Sequence, residues 1–299
     1  LVIRLKVSAM ENQDLYQPFI FESLGIRGEI VRLGNSFRQI LGNNSYPVTV
    51  AKLLGESLCA SVLLSGTIKF DGSLILQIQS PGTIKTLVAQ STNHRIIRGL
   101  AHWSGTPDDE GLMQLCPNAR LVITIQTEGN DPYQGIVAVE RNTLPETIEQ
   151  YFAASEQIPT RLWMQSTSTS ASGLLLQALP GQESDPDGWN RINLLTESLT
   201  KQELRELPFE EILFRLYNQE RVRIFDPEPV VFRCNCTREK VERVLIALGE
   251  SEALETLAQE GEILVHCEFC NRKQRFDAVD IGSLFKSGFS SRKSGSSRH

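Results

Sequence analysis

The chain has 299 residues, 40% of them apolar and 22% charged, with a formal net charge of −6. This describes an ordinary globular chain, long enough for one large domain or two unequal ones. The acidic balance argues against nucleic acid as a partner, because phosphate contact demands a basic face. No apolar run approaches the roughly 18 residues of a membrane span; the best, "LCASVLLSG", lies between Glu56 and Lys69, so no membrane partner is expected.

The opening "LVIRLKVSA" lacks a sustained apolar region of about 7 to 15 residues and a cleavage site. No secretion signal is read, and Met10 is the expected natural start. The expected compartment is the cytosol, where clustered cysteines act as metal ligands or redox centres more often than as structural disulfides.

Residues 10–180 mix strand and helix signals and read as an N-terminal core. "SYPVTVAKLLGESLCASVLLS" is apolar enough for a buried helix. "TIKFDGSLILQIQ" reads as a hairpin, with Ile68 and Phe70 on one arm, Asp71-Gly72 as turn, and Leu74, Leu76 and Ile78 on the return. A second hairpin joins the arm of Leu121, Ile123 and Ile125 through "TEGNDP" to "YQGIVAVE". Thr143 and Pro145 mark the start of a helix in "TLPETIEQYFAAS", and strands "RLWMQS" and "GLLLQAL" flank the loop "STSTSAS". Strands and helices without a regular βαβ period predict an α+β fold.

Composition changes over residues 181–231. Between 182 and 230 stand 11 acidic and 6 basic side chains, so this stretch holds −5 of the chain's net −6. Thr200 and Glu203 form a capping box, with Leu199 and Leu204 as hydrophobic staple. Leu207, Ile212, Leu213 and Leu216 make an apolar stripe. The segment reads as a helical linker packed on the core, and its negative charge and its prolines (Pro208, Pro227, Pro229) make that packing easy to undo.

Residues 232–288 form a small C-terminal domain around a helix "TREKVERVLIALG", with Thr237 as cap and Val241, Val244, Leu245 and Leu248 as stripe. Residues 289–299 read as a disordered tail. Two close cysteine pairs, Cys234/Cys236 and Cys267/Cys270, supply the four soft ligands of a tetrahedral Zn²⁺ site. Such a site has no open position for catalysis. His266 is a substitute ligand only if a thiolate is lacking. A segment of this size draws about 3 to 5 kcal/mol from its own core, against on the order of 10 to 16 kcal/mol from a structural zinc. Metal loss should therefore unfold it. Cys59 and Cys116 have no base partner and read as core residues.

These residues resemble a known family. "RCNCTREK" and "HCEFCNRKQRFDAVDI", with "YFAASEQIPTRL", "GLLLQALP", "KFDGSLILQIQ" and "YQGIVAVE", are similar to the redox-regulated 33-kDa heat-shock proteins, bacterial cytosolic holdase chaperones; the resemblance spans about residues 14–282. It implies that Cys234, Cys236, Cys267 and Cys270 bind one zinc in a reduced, inactive form. Oxidation would form disulfides Cys234–Cys236 and Cys267–Cys270, release the metal, and unfold the zinc domain and then the linker. The uncovered apolar surface would capture unfolding client proteins and favour a homodimer. Gln274-Arg275 stands where the family tends to carry an aromatic residue. No G-x-x-x-x-G-K-[ST] loop is present, in keeping with an ATP-independent, non-enzymatic holdase.

Two other classes compete. A thiol-disulfide oxidoreductase would use "CEFC", but that motif needs a βαβ setting, and only 29 residues follow Cys270. A zinc-ribbon nucleic-acid module would draw on Arg272, Lys273 and Arg275, but its segment is not basic as a whole.

Overall fold

The first two strands already show how this chain uses both faces of a sheet. Strand β1 (Leu15–Phe21) turns through Gly25, at φ 60°, into β2 (Ile26–Leu33), with Phe19 opposite Gly28. A Cβ on Gly28 would come within 2.0 Å of the Phe19 ring, so the ring lies directly on glycine backbone. The computed structural model describes residues 14–42, 44–108, 110–181 and 185–291, with side chains described to residue 286. The expectations for Met10 and for residues 292–299 lie outside the described residues.

The larger unit continues with α1 (Asn35–Leu41), α2 (Val48–Gly66), β3 (Gly72–Gln79), β4 (Ile84–Thr92), β5 (Ile96–Trp103) and α3 (Leu112–Leu115). Then come β6 (Arg120–Thr127), β7 (Tyr133–Ala138), α4 (Leu144–Tyr151), which runs on into a π-turn, β8 (Thr160–Ser166) and β9 (Ala171–Ala178). Helices α5 (Gly188–Glu197), α6 (Lys201–Glu206) and α7 (Phe209–Tyr217) lead to the short strands β10 (Arg223–Ile224), β11 (Glu228–Pro229) and β12 (Val231–Phe232). One sheet has the order β10-β1-β2-β9-β8, with β11 also on β1; the other runs β12-β5-β4-β3-β6-β7. All pairings are antiparallel except β12 with β5, which bears out the α+β expectation.

Helix α2 lies in a core shared by the two sheets, where Leu54, Leu58 and Leu63 meet Val31 and Leu33 from one and Leu74, Leu76 and Leu87 from the other. Its 19 residues are long and apolar enough for a membrane span by composition, which corrects the expectation that no run comes close; most of the stretch is buried in this core. The opposite face of the first sheet is equally apolar. Phe19, Phe21, Ile26, Ile30, Leu174 and Leu176 form a second cluster with Ile192, Leu204, Phe209, Ile212, Leu213, Leu216 and Tyr217 of α5 to α7. All eight residues of β9 are buried because both faces are covered.

The capping box is present: Thr200 accepts from the Glu203 N–H, and the Glu203 carboxylate accepts from the Thr200 N–H. Leu199 and Leu204 join the second cluster, as the staple requires. Thr143 accepts from the Glu146 N–H with Pro145 in the first turn of α4. The hairpin at residues 121–138 is β6–β7. The hairpin at residues 68–78 is not formed. Helix α2 continues to Gly66, where the Thr67 hydroxyl donates to the Leu64 carbonyl, leaving too few residues for an arm. Ile68 and Phe70 instead pack on the core, and β3 pairs with β4 and β6.

A buried polar network ties β11 into this unit. The Arg95 guanidinium stacks on the Tyr16 ring at 4.0 Å and donates to Ser65 Oγ at 2.9 Å and Glu228 Oε2 at 3.1 Å. Beside it Glu29 is fully enclosed, and burial pushes its carboxyl up to about 8 against the pull of Arg27, Arg95 and the Tyr16 hydroxyl.

The chain divides once, after Arg233. The smaller unit holds α8 (Arg238–Leu248), α9 (Glu250–Glu260), β13 (Ile263–His266), β14 (Lys273–Phe276) and α10 (Ala278–Ser291). Helix α10 reaches three residues into the stretch read as tail. Helix α9 was not foreseen. Gly249, at φ 107°, ends α8 and also starts α9. The stripe of α8 is narrower than expected: Leu245 is buried and Val241 half-buried, but Val244 and Leu248 are 65% and 54% exposed. Thr237 occupies the N-cap position without a side-chain bond to the helix backbone. Its hydroxyl instead helps hold the Glu239 carboxyl below its usual range.

Candidate metal centre

Cys234 and Cys236 stand in the extended stretch just before α8, and Cys267 and Cys270 in the turn between β13 and β14. That turn is closed by Cys267 N–H donating to Arg272 O at 3.0 Å and Asn271 N–H donating to Cys267 O at 2.7 Å. Asn271 takes φ 54°, a left-handed position that asparagine tolerates. The hairpin register, Ile263 to Phe276 through His266 to Lys273, sets both cysteines at one end of the strand pair.

All four Sγ atoms lie within 4.8 Å of one another. The close approaches cross between the loops, Cys234 to Cys267 at 3.5 Å and Cys236 to Cys270 at 3.3 Å. A tetrahedral zinc with Zn–S bonds of about 2.3 Å separates its sulfurs by about 3.8 Å, so the four donors fit that ion with little adjustment. His266 is exposed and outside the cluster. Burial raises the thiols of Cys234 and Cys236. Burial opposes ionisation at Cys267 as well, but the backbone N–H groups of Cys270 and Phe269 and the thiols of Cys234 and Cys270 draw it below its ordinary value. A bound dication would hold all four as thiolates.

Two residues support the cluster in ways the sequence did not disclose. Gln274 Nε2 donates to Cys236 O at 2.9 Å and so braces the C-x-C loop. Arg238 stacks on Phe276 at 4.2 Å, donates to Arg275 O at 3.0 Å and pairs with Asp280 at 2.8 Å. The unit's apolar core is small: among the described residues Leu245, Ala253, Ile263, Phe276 and Ile281 are its buried members. Cys59 and Cys116 are buried in the larger unit, away from any such cluster. Burial pushes the Cys116 thiol up to about 12 and the Cys59 thiol well above its usual value, so both are unreactive core residues.

Residues 14–277 match the family model described as Hsp33 protein. The chain belongs to the Hsp33 family. Within that family it is 50% identical over 276 residues to the 33 kDa chaperonin of Nitrosococcus oceani, covering 92% of this chain and 96% of that one. It is 41% identical over 298 residues to the 33 kDa chaperonin of Pseudomonas aeruginosa, covering 97% and 100%. The fold matches the crystal structure of a 33 kDa chaperonin from Thermotoga maritima with a TM-score of 0.82 at 21% identity, over 93% of this chain and 99% of that one. The resemblance seen in the cysteine motifs therefore extends through the whole Hsp33 fold, and the chain is a member of a chaperone family.

Proposed function

We propose that this chain is a redox-regulated, ATP-independent holdase of the cytoplasm, without enzymatic activity, that binds unfolding client proteins under oxidative stress. The observation that carries the reading is the doubly apolar first sheet. One face is permanent core, and the other is covered, among the described residues, mainly by α5, α6 and α7, helices of marginal length held by their apolar stripe. If those helices lift, Phe19, Phe21, Ile26, Ile30, Leu174 and Leu176 become an exposed apolar patch of the kind that binds unfolded chains, and the released helices offer a second one.

In the reduced state Cys234, Cys236, Cys267 and Cys270 hold one zinc ion, which supplies the binding energy that the five-residue core lacks. Each thiolate pair, Cys234–Cys236 and Cys267–Cys270, gives two electrons to a peroxide or hypochlorite oxidant and closes a disulfide, after which neither pair holds the ion. The closest sulfur contacts run between the loops, so closing the local pairs exchanges those contacts for bonds within each loop. Residues 232–288 then lose their order, followed by the linker at 181–231. The core at 10–180 is left to hold clients and to pair with a second copy.

The test is light scattering of a chemically denatured client diluted into buffer with reduced or oxidised protein. Suppression by the oxidised form alone is the expected result. Disulfide transfer with turnover and no suppression would favour an oxidoreductase and overturn the proposal.

A further inference from the structure

Arg32 is out of keeping with its neighbours. Along β2, Ile26, Gly28, Ile30 and Arg32 alternate onto the face covered by the linker, and the first three present apolar surface or bare backbone. Arg32 is nonetheless only 3% exposed. Its Nη2 donates to the carbonyls of Leu204 at 2.9 Å and Leu207 at 2.7 Å, and its guanidinium lies over the Phe209 ring at 4.9 Å. All three belong to the junction of α6 and α7.

The sequence of that junction explains the contact. In a continuing helix the Leu204 carbonyl would accept from the N–H of residue 208. Residue 208 is proline and has no N–H. Leu207 is the C-cap of α6, in extended conformation, and Pro208 begins the next helix. Pro208 therefore creates an acceptor that the linker cannot satisfy by itself, and a buried carbonyl without a donor is costly. Arg32, from the core, supplies the missing donor and meets the negative end of α6 with a positive charge.

We infer that Arg32 is a positioning residue that holds the linker closed at the α6–α7 junction and so sets how readily it is released. The inference rests on the holdase reading above and adds the regulation of its linker. The contact forms only when α6 ends where it does, which makes it a check on linker folding. A guanidinium can leave it for water at little cost once the linker opens, since hydration replaces both carbonyls.

The experiment uses full-length, reduced, zinc-loaded protein carrying Arg32→Ala or Arg32→Lys. Limited trypsinolysis reads opening at Arg205 and Arg215, and a zinc assay and client light scattering accompany it. R32A should raise cleavage within residues 185–233 on the order of tenfold or more, the scale of losing two charge-assisted hydrogen bonds. Zinc content should be unchanged, and the reduced protein should acquire holding activity. R32K, which keeps charge but lacks the fork, should lie between R32A and wild type.

In a Pro208→Ala background, where residue 208 regains its N–H, R32A should have a smaller effect, a coupling that a merely bulky core residue would not show. Wild-type cleavage rates in R32A, or equal effects in both backgrounds, would overturn the inference. If R32A does not fold, R32K decides: selective linker opening supports the role and wild-type protection refutes it. Opening without client holding supports the positioning role and counts against the holdase reading instead.

Discussion

Ile212 and Phe214 stand two residues apart on α7, and truncating each to alanine should have opposite consequences. Ile212 is 0% exposed, against the sheet face made by β1, β2 and β9, whereas Phe214 is 73% exposed. Truncating a buried isoleucine costs about 2–5 kcal/mol in transfer and cavity terms, while alanine returns only about 0.5 kcal/mol of helix propensity. An exposed truncation stays within about 0.5 kcal/mol. At about 1.4 kcal/mol per factor of ten, the remaining ~1.5 kcal/mol or more means that I212A should favour linker opening by roughly tenfold or more. Native-state hydrogen exchange of the peptide spanning 209–217, in reduced and zinc-loaded protein, reads this directly. Amides of I212A should exchange faster by that factor, and those of F214A at the wild-type rate. Equal exchange in the two variants would mean that the apolar stripe does not hold the linker down, and the reasoning from the second cluster would fail.

Two further predictions concern the metal centre and the buried network. Chelation, or Cys234→Ser, should weaken zinc binding and remove the helical signal of α8 and α9 and their protease resistance, because five buried apolar residues cannot replace on the order of 10 kcal/mol of metal binding. Retained resistance after complete metal loss would contradict this. Glu29 is neutral in the folded chain up to about pH 8 but ionises near pH 4.5 when unfolded. Unfolding between those values therefore releases a proton, and the protein loses stability as pH rises, by at most about 1.4 kcal/mol per pH unit. Glu29→Gln should flatten urea midpoints between pH 5 and 8, and parallel curves for the two proteins would show that Glu29 does not titrate as its burial demands.

What the sequence disclosed follows how local each determinant is. The capping box of Thr200 and Glu203, the Thr143 cap and the cysteine pairs each depend on residues close in the chain, and the structure has them in place. The apolar stripe of Ile212, Leu213 and Leu216 was equally plain, because helical periodicity needs no knowledge of the partner face. Errors arose where alternatives compete. Ile68 and Phe70 look like a strand arm, but the continuation of α2 uses up the chain. Val244 and Leu248 fit a helical stripe, yet the small unit has apolar surface enough to cover only Leu245 and Val241. Helix α9 had its signal in the Ala, Leu and Glu content of "SEALETLAQE", overshadowed by Gly249. The contacts of Arg32, Arg95 and Gln274 could not be read, since the groups they hold at Leu204, Glu228 and Cys236 are more than 30 residues away.

The central claim is that zinc loss, linker release and client holding are one sequence of events. It is tested most directly by following all three in a single oxidation time course, with zinc read by a chelating dye, linker opening by hydrogen exchange of residues 209–217, and holding by light scattering of a denatured client. The account predicts that zinc release comes first, that exchange protection is lost next, and that client holding rises with the loss of protection. Full zinc release with a protected linker and no holding, or holding by protein that retains its zinc and its wild-type linker protection, would contradict it.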